Sequence, residues 1–269
     1  MKVSNLLIHS ARLWYHQDAK LYSAAFSYYA PLALIPLIVL SISIVGIFYG
    51  VEFVKDYFLG WGLILGTDLS TLISIAVTNL NAETKTFKAP ILGIILFSGI
   101  SILSLNVLST GFNKIWGTPY LGVRNWFFKS LRSILFILVL QIYFIFIISF
   151  EFFISKTSFE STTLFSTIFI FLNTTILFVV LYKFLPRRSP SLKGCLFGGI
   201  VASTLFMVAK SLVGLYLATS SSLNLYGAAG LILVLLVWVY ILAALIYYGA
   251  AVAHIYDRMY GNSNNLNNL

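Results

Sequence analysis

The side chains that could do chemistry in this chain are few and far apart. Three histidines, His9, His16 and His254, and a single cysteine, Cys195, are spread over 269 residues. Hydrolysis by metal-bound water needs histidines and carboxylates clustered on one site. Here His16 and Asp18 are two residues apart, about 200° on a helix, and no His-x-His or paired acid has ligand spacing. No Walker sequence for ATP is present either. The pattern predicts no catalytic residues, no metal and no cofactor. Cys195 reads as a small apolar residue at the start of a span.

Lys210 is different, because it interrupts an otherwise uncharged apolar run from 194 to 218. A lysine at the centre of a membrane helix costs roughly 2.5 to 3.5 kcal/mol on insertion scales, so such a residue is a candidate site with a partner to be found. Gly199, Ser203, Gly214 and Ala218 share its helical stripe, and small residues mark a packing face. That stripe predicts Lys210 in the outer half of the membrane, pointing into the helix bundle. Glu151, near the outer end of another apolar run, is its charged partner by depth, and Asn106 and Ser203 complete the candidate intramembrane set. Three readings remain open: a structural ion pair, an anion-binding site, or a lysine that snorkels to the surface.

The elements that must hold these residues are legible in the composition. The chain is 59% hydrophobic and 9% charged, against about 45–50% apolar and 25% charged for a soluble domain. Continuous apolar runs at about 29–50, 89–112, 131–154, 163–185, 194–218 and 229–253 each approach the ~20 residues that cross a bilayer as a helix. They lack the alternation of barrel strands. The fold class expected is all-α: one membrane domain of six transmembrane helices over 1–260, followed by a disordered Asn-rich tail, 261–269.

The net charge of +9 has a topological explanation. Twelve Lys and Arg lie in the N-terminus, the second and fourth loops and the C-terminal end, and four, Lys55, Lys85, Lys88 and Lys156, lie in the loops between. The positive-inside rule places both termini in the cytoplasm, as an even number of spans requires. Membrane lipids are the expected partner, with an anionic solute or lipid as a further possibility and no nucleic acid. The N-terminus, interrupted by His9, Arg12, His16, Asp18 and Lys20, is not expected to be a cleaved signal peptide.

Residues 3–17 set Val3, Leu6, Leu7, Leu13 and Trp14 on one helical face, as in a helix lying flat on the inner surface. Pro31 and Pro36 predict a kink or break near the inner end of the first span. In the long outer loop, 69–80 has amphipathic spacing that suits an interfacial helix or a lid. Ser98, Ser101, Ser104, Asn106 and Ser109 give the second span a polar face suited to helix–helix hydrogen bonds or a wet cavity.

Several stretches together resemble the YihY/BrkB family of bacterial inner-membrane proteins, historically labelled ribonuclease BN-like. Residues 23–36, with Tyr28, Tyr29, Pro31 and Pro36, resemble its first-span signature. Gly111-Phe-Asn-Lys-Ile-Trp-Gly117, with Asn113 and Trp116, resembles its motif after the second span. The segments 184–188 and 209–216 resemble its fifth-span region, and Tyr226, Gly227, Gly230 and 238–240 its sixth. One position departs: the family's last span usually ends in Gly-Ala-Glu, and here Gly249-Ala250 is followed by Ala251. The resemblance implies a multi-pass protein of the bacterial inner membrane with six spans. Polar residues within those spans favour transport or lipid and solute handling, with a non-transporting structural or accessory envelope role as the alternative. The ribonuclease label finds no residues to carry it.

Overall fold

A computed structural model describes residues 3–33, 88–118, a few residues between 136 and 146, 163–187, 190–219 and 222–260, and the account below concerns these. Every regular element among them is helical: α1 (Val3–His16), α2 (19–33), α3 (Lys88–Ile115), α4 (Thr163–Phe184), α5 (Leu192–Thr219) and α6 (Ser222–Tyr260). Among the described residues three helices are long and apolar enough to cross a membrane, over Thr167–Phe184, Leu192–Tyr216 and Leu233–Tyr260. Large hydrophobic side chains are exposed along them, such as Ile168, Leu172 and Ile176 on α4 and Leu196, Ile200 and Val208 on α5. Rows at spacings of four that face outward are what lipid-facing helix surfaces look like, since hydrocarbon chains solvate them as well as protein would.

By spatial proximity the chain falls into two compact units, 1–31 with 103–133 and 161–269, and 32–102 with 134–160. The site described below lies wholly in the first. There α5 packs between α4 and α6, and α1 packs on α6.

Small residues explain the α5–α6 contact. Gly194, Gly198 and Ala202, four apart, form a row against α6, where Gly249, Ala253 and Asp257 repeat the same interval. A Cβ on Gly198 would stand 2.5 Å from the Gly249 carbonyl oxygen and 2.9 Å from the Ala253 Cβ. The next row turns towards α4: a Cβ on Gly199 would meet the Val179 side chain at 2.8 Å. Two adjacent glycines thus serve two neighbours, and in lipid such close approach supplies the dispersion contacts that hold helices together.

Helix ends follow local rules. α3 stops at Gly117, whose φ of +63° suits a residue without Cβ. Its amide donates to the Lys114 carbonyl and that of Thr118 to the Asn113 carbonyl, the paired bonds of a Schellman cap. α5 starts at Ser191, whose hydroxyl accepts the Gly194 amide at 3.0 Å, an N-cap. α1 ends at Asp18, which adopts φ +54° and whose carbonyl accepts the Leu21 amide at 2.9 Å, opening α2.

One expectation changes here. The apolar face of α1 does not lie free for lipid: Leu6, Leu7 and Leu13 pack on Val252, Ile255, Tyr248, Tyr256 and Met259 of α6. α6 is 39 residues long, well beyond the ~20 a bilayer needs, and its C-terminal turns present apolar side chains that α1 covers. α2 is helical through Pro31 as far as residue 33. Pro36, the 69–80 segment and the 261–269 tail lie outside the described residues.

Candidate functional site

Among the described residues, polar and aromatic side chains gather where the C-terminal ends of α3, α4 and α6 meet the α1–α2 corner, and Gly111 to Gly117 is the centre of that arrangement. Each residue of that stretch has a use. Gly111 lets the Tyr247 ring approach, since a Cβ there would lie 2.5 Å from the ring's edge. Phe112 is fully buried and meets Trp116, Tyr182 and Tyr247 edge-on, with ring centres 5.9, 5.8 and 5.5 Å away. Such T-shaped pairs are favoured because a ring's positive edge meets a negative face. Asn113 accepts the Arg187 amide on Oδ1 at 2.8 Å, tying α3 to the turn after α4. Lys114 pairs with Asp18 at 2.7 Å, Ile115 is buried, and Trp116 meets the His254 ring at 6.0 Å.

Hydroxyls and indole nitrogens extend these links across helices. Tyr182 donates to the Ile246 carbonyl at 2.9 Å and Tyr247 to the Val107 carbonyl at 3.3 Å. Tyr248 donates to the Leu7 carbonyl and Trp14 to the Ala244 carbonyl, both at 3.2 Å, which anchors α1. Ser109 donates to the Leu185 carbonyl at 3.3 Å. At the start of α5 the Asp257 carboxylate accepts the Ser191 amide at 2.6 Å and also its hydroxyl. A carboxylate at a helix N-terminus is favoured by the exposed amides and the dipole.

The Lys114–Asp18 pair sets the electrostatics. Its hydrogen bond, and then its charge, hold the Asp18 carboxyl below the ordinary 3.8, and the same bond raises Lys114 above 10.5. Both side chains are partly exposed, 38% and 50%, so solvent and salt screen the attraction. Lys114 also sits 5.5 Å from the Tyr22 ring centre.

The candidate intramembrane set is not gathered in the same way. Lys210 is exposed rather than turned into the packed face, and Gly214, one turn further, has nothing within 4 Å of where a Cβ would be. The tight crossing lies at Gly198, some 18 Å back along the helix at ~1.5 Å per residue; helices that cross at an angle separate away from the crossing. Ser203 is fully buried, and among the described residues its hydroxyl has no hydrogen-bond partner. Asn106 is half-buried, and its carbonyl accepts the Thr110 hydroxyl at 2.6 Å. Glu151 lies outside the described residues. Of the first-span signature, Tyr28 is exposed and meets Tyr29 edge-on at 5.2 Å, while Pro31 is buried. Tyr226 and Gly227 fall in the first turns of α6. His9 bonds the Asn5 carbonyl at 2.7 Å and His16 meets the Tyr15 ring.

Residues 11–268 match the family described as Virulence factor BrkB. The chain belongs to this family. Among curated BrkB relatives, a UPF0761 membrane protein from Chlorobium phaeobacteroides is 24% identical over 244 residues, covering 84% of this chain and 51% of that protein. UPF0761 membrane proteins from Idiomarina loihiensis and Azotobacter vinelandii are 32% and 36% identical over 76 and 80 residues, or 28% and 29% of this chain and 27% and 20% of theirs. The chain thus spans about half the length, or less, of the curated relatives it matches. No solved structure matches it.

Ala251, after Gly249-Ala250 in the last helix, is fully buried on α6 beside Ala250 and Val252. Residues missed from the sequence include Asp18, Ser191, Asp257, Tyr182 and Tyr247. A serine ahead of an apolar run was a readable N-cap signal, and the Gly194/Gly198/Ala202 interval a readable packing signal. Asp18 and Lys114, 96 residues apart, left no spacing to read.

Proposed function

We propose that this BrkB protein is a multi-pass protein of the bacterial inner membrane, with six spans and both termini in the cytoplasm, that binds and handles an anionic solute or lipid within the membrane. The observation that carries the reading is Lys210. It stands exposed in an apolar span, about 9 Å inside the outer limit at Tyr216 by helical rise, and among the described residues no carboxylate pairs with it. A cation held there is expensive unless an anion or the surface answers it. The buried, unpartnered Ser203 hydroxyl two turns inward adds a polar group on the same helix. The excess of Lys and Arg at one set of chain ends and loops supports the orientation. The reading involves no bond-making step, no metal and no cofactor.

Reconstitution into liposomes tests it: wild type is expected to move at least one of a panel of anionic solutes or lipids, and Lys210→Met, correctly folded, to lose that flux. Equal flux in both sinks Lys210 as the site.

A structural or accessory envelope role is the second reading, and a specific observation favours it: at the inner end the hydroxyl, indole and amide groups of Tyr182, Tyr247, Tyr248, Trp14, Ser109 and Asn113 are all engaged in holding helices together. On that reading Lys210 pairs with Glu151, and unfolding of Lys210→Met is rescued by adding Glu151→Gln.

A further inference from the structure

We propose that the outward face of α1 and the first turn of α2 form a binding surface for anionic phospholipid headgroups, with Arg12 and Lys20 as the phosphate-binding cations. The inference rests on α1 lying at a membrane surface, one part of the topology above, and not on solute handling.

Because Leu6, Leu7 and Leu13 are taken up by α6, the opposite face of α1 is what remains to meet the surroundings. Ile8 and Tyr15 on it are 58% and 59% exposed, and Leu21 just beyond is 67% exposed. Arg12 stands one turn from each of the first two and is itself exposed, since residues three and four apart share a helix face. The Lys20 ammonium lies 4.1 Å above the Tyr15 ring centre, so two cations flank one tyrosine. Such stacking holds the ammonium in place and leaves its other donors outward.

Among the described residues no carboxylate is bonded to either cation. Asp18 acts on Lys20 by charge, but its carboxylate is bonded to Lys114. Asp257 is bonded to Ser191 at the start of α5. The patch is therefore cationic, with aliphatic and aromatic groups among the charges. That mixture matches the boundary of an anionic bilayer, where aliphatic side chains enter the acyl region, tyrosine sits at headgroup level and long basic side chains reach phosphate. A polynucleotide would be met by cations and stacking rings; exposed Ile8 and Leu21 offer it nothing.

The test uses the purified full chain in a neutral detergent, titrated with phosphatidylglycerol or phosphatidylcholine, with bound lipids counted by native mass spectrometry. Detergent-solubilised protein has no sides, so the result stands whichever way the chain crosses the membrane. Wild type is expected to retain phosphatidylglycerol in preference. Each basic residue near an anionic surface is worth about five-fold in affinity, so Arg12→Gln/Lys20→Gln should weaken phosphatidylglycerol binding about thirty-fold. Lys193→Gln/Arg258→Gln, which removes two exposed cations elsewhere, should leave it unchanged. Both Arg12 and Lys20 are exposed, and an unaltered melting point confirms that the variant is folded. Unchanged phosphatidylglycerol binding in Arg12→Gln/Lys20→Gln overturns the proposal, as does an equal loss in the two double variants. Tight binding of a single-stranded RNA oligonucleotide that depends on Arg12 and Lys20 would overturn it in favour of nucleic acid.

Discussion

The N-terminal and C-terminal parts of α5 belong to one helix of nearly uniform composition, yet they are held in opposite ways. From Ser191 to Ala202 the helix is capped by its own serine, bonded to Asp257 and pressed on Gly249 and Ala253 of α6. From Val208 to Tyr216 most side chains, Lys210 among them, are exposed. The difference shows that apolar character places a helix in the membrane, while small residues in register on a facing helix decide where it is gripped. Ser203 sits at the changeover, buried but with its hydroxyl unanswered.

The largest effect is expected where α5 is gripped. Gly198→Leu would drive a side chain into the Gly249 carbonyl and Ala253, and overpacking of this kind should cost about 3 kcal/mol, read as a large drop in the detergent melting point. Gly214→Leu, with open space around it, should leave that melting point unchanged. An equal drop in both would erase the distinction between the two ends.

Ser203→Ala should move in the other direction. Removing a buried hydroxyl that bonds nothing is expected to stabilise by about 1 kcal/mol. A loss of stability would mean that the hydroxyl has a partner in the working protein. Tyr182→Phe, which deletes the bond to the Ile246 carbonyl, should cost about 0.6 kcal/mol, the average for such bonds in membranes; chemical unfolding in mixed micelles can resolve it.

The Lys114–Asp18 pair predicts a smaller effect, visible in its pH dependence. Asp18 is lowered on folding, so its contribution is fully present above the ordinary 3.8 and lost as pH falls through the folded value. Lys114 is raised, so its contribution is present below 10.5 and lost as pH rises through its folded value. Asp18→Asn should flatten both limbs of a melting-point profile by slightly lowering the plateau between them, with the acid and alkaline ends unchanged. The smallest expected effect on stability is that of Lys210→Met. An exposed lysine with no ion pair among the described residues should change the melting point by no more than about 0.5 kcal/mol in equivalent free energy; a large drop would point to the Glu151 pair.

Much of the framework was legible beforehand because hydropathy acts residue by residue. The 89–112, 163–185, 194–218 and 229–253 runs correspond to α3, α4, α5 and α6 to within a few residues at most ends, with α6 extending further at both. The Gly111–Gly117 stretch was singled out from its resemblance, and the structure accounts for every residue in it. The stripe Gly199, Ser203, Lys210 and Gly214 was read as one packing face, but helical spacing reports only which residues share a side, not how far a neighbour follows. For the same reason the apolar face of α1 can be seen while its partner cannot: lipid and the C-terminal turns of α6 satisfy an amphipathic pattern equally well.

The sequence by itself determined that this is a helical membrane chain with its positive charge gathered at one set of ends, because both properties sum over local residue types. The tertiary structure alone decided that Gly194, Gly198 and Ala202 meet Gly249 and Ala253, that Asp18 answers Lys114, and that α1 covers α6. Those contacts join residues tens to hundreds of positions apart, and what selects them is fit between surfaces, which no single run of sequence contains.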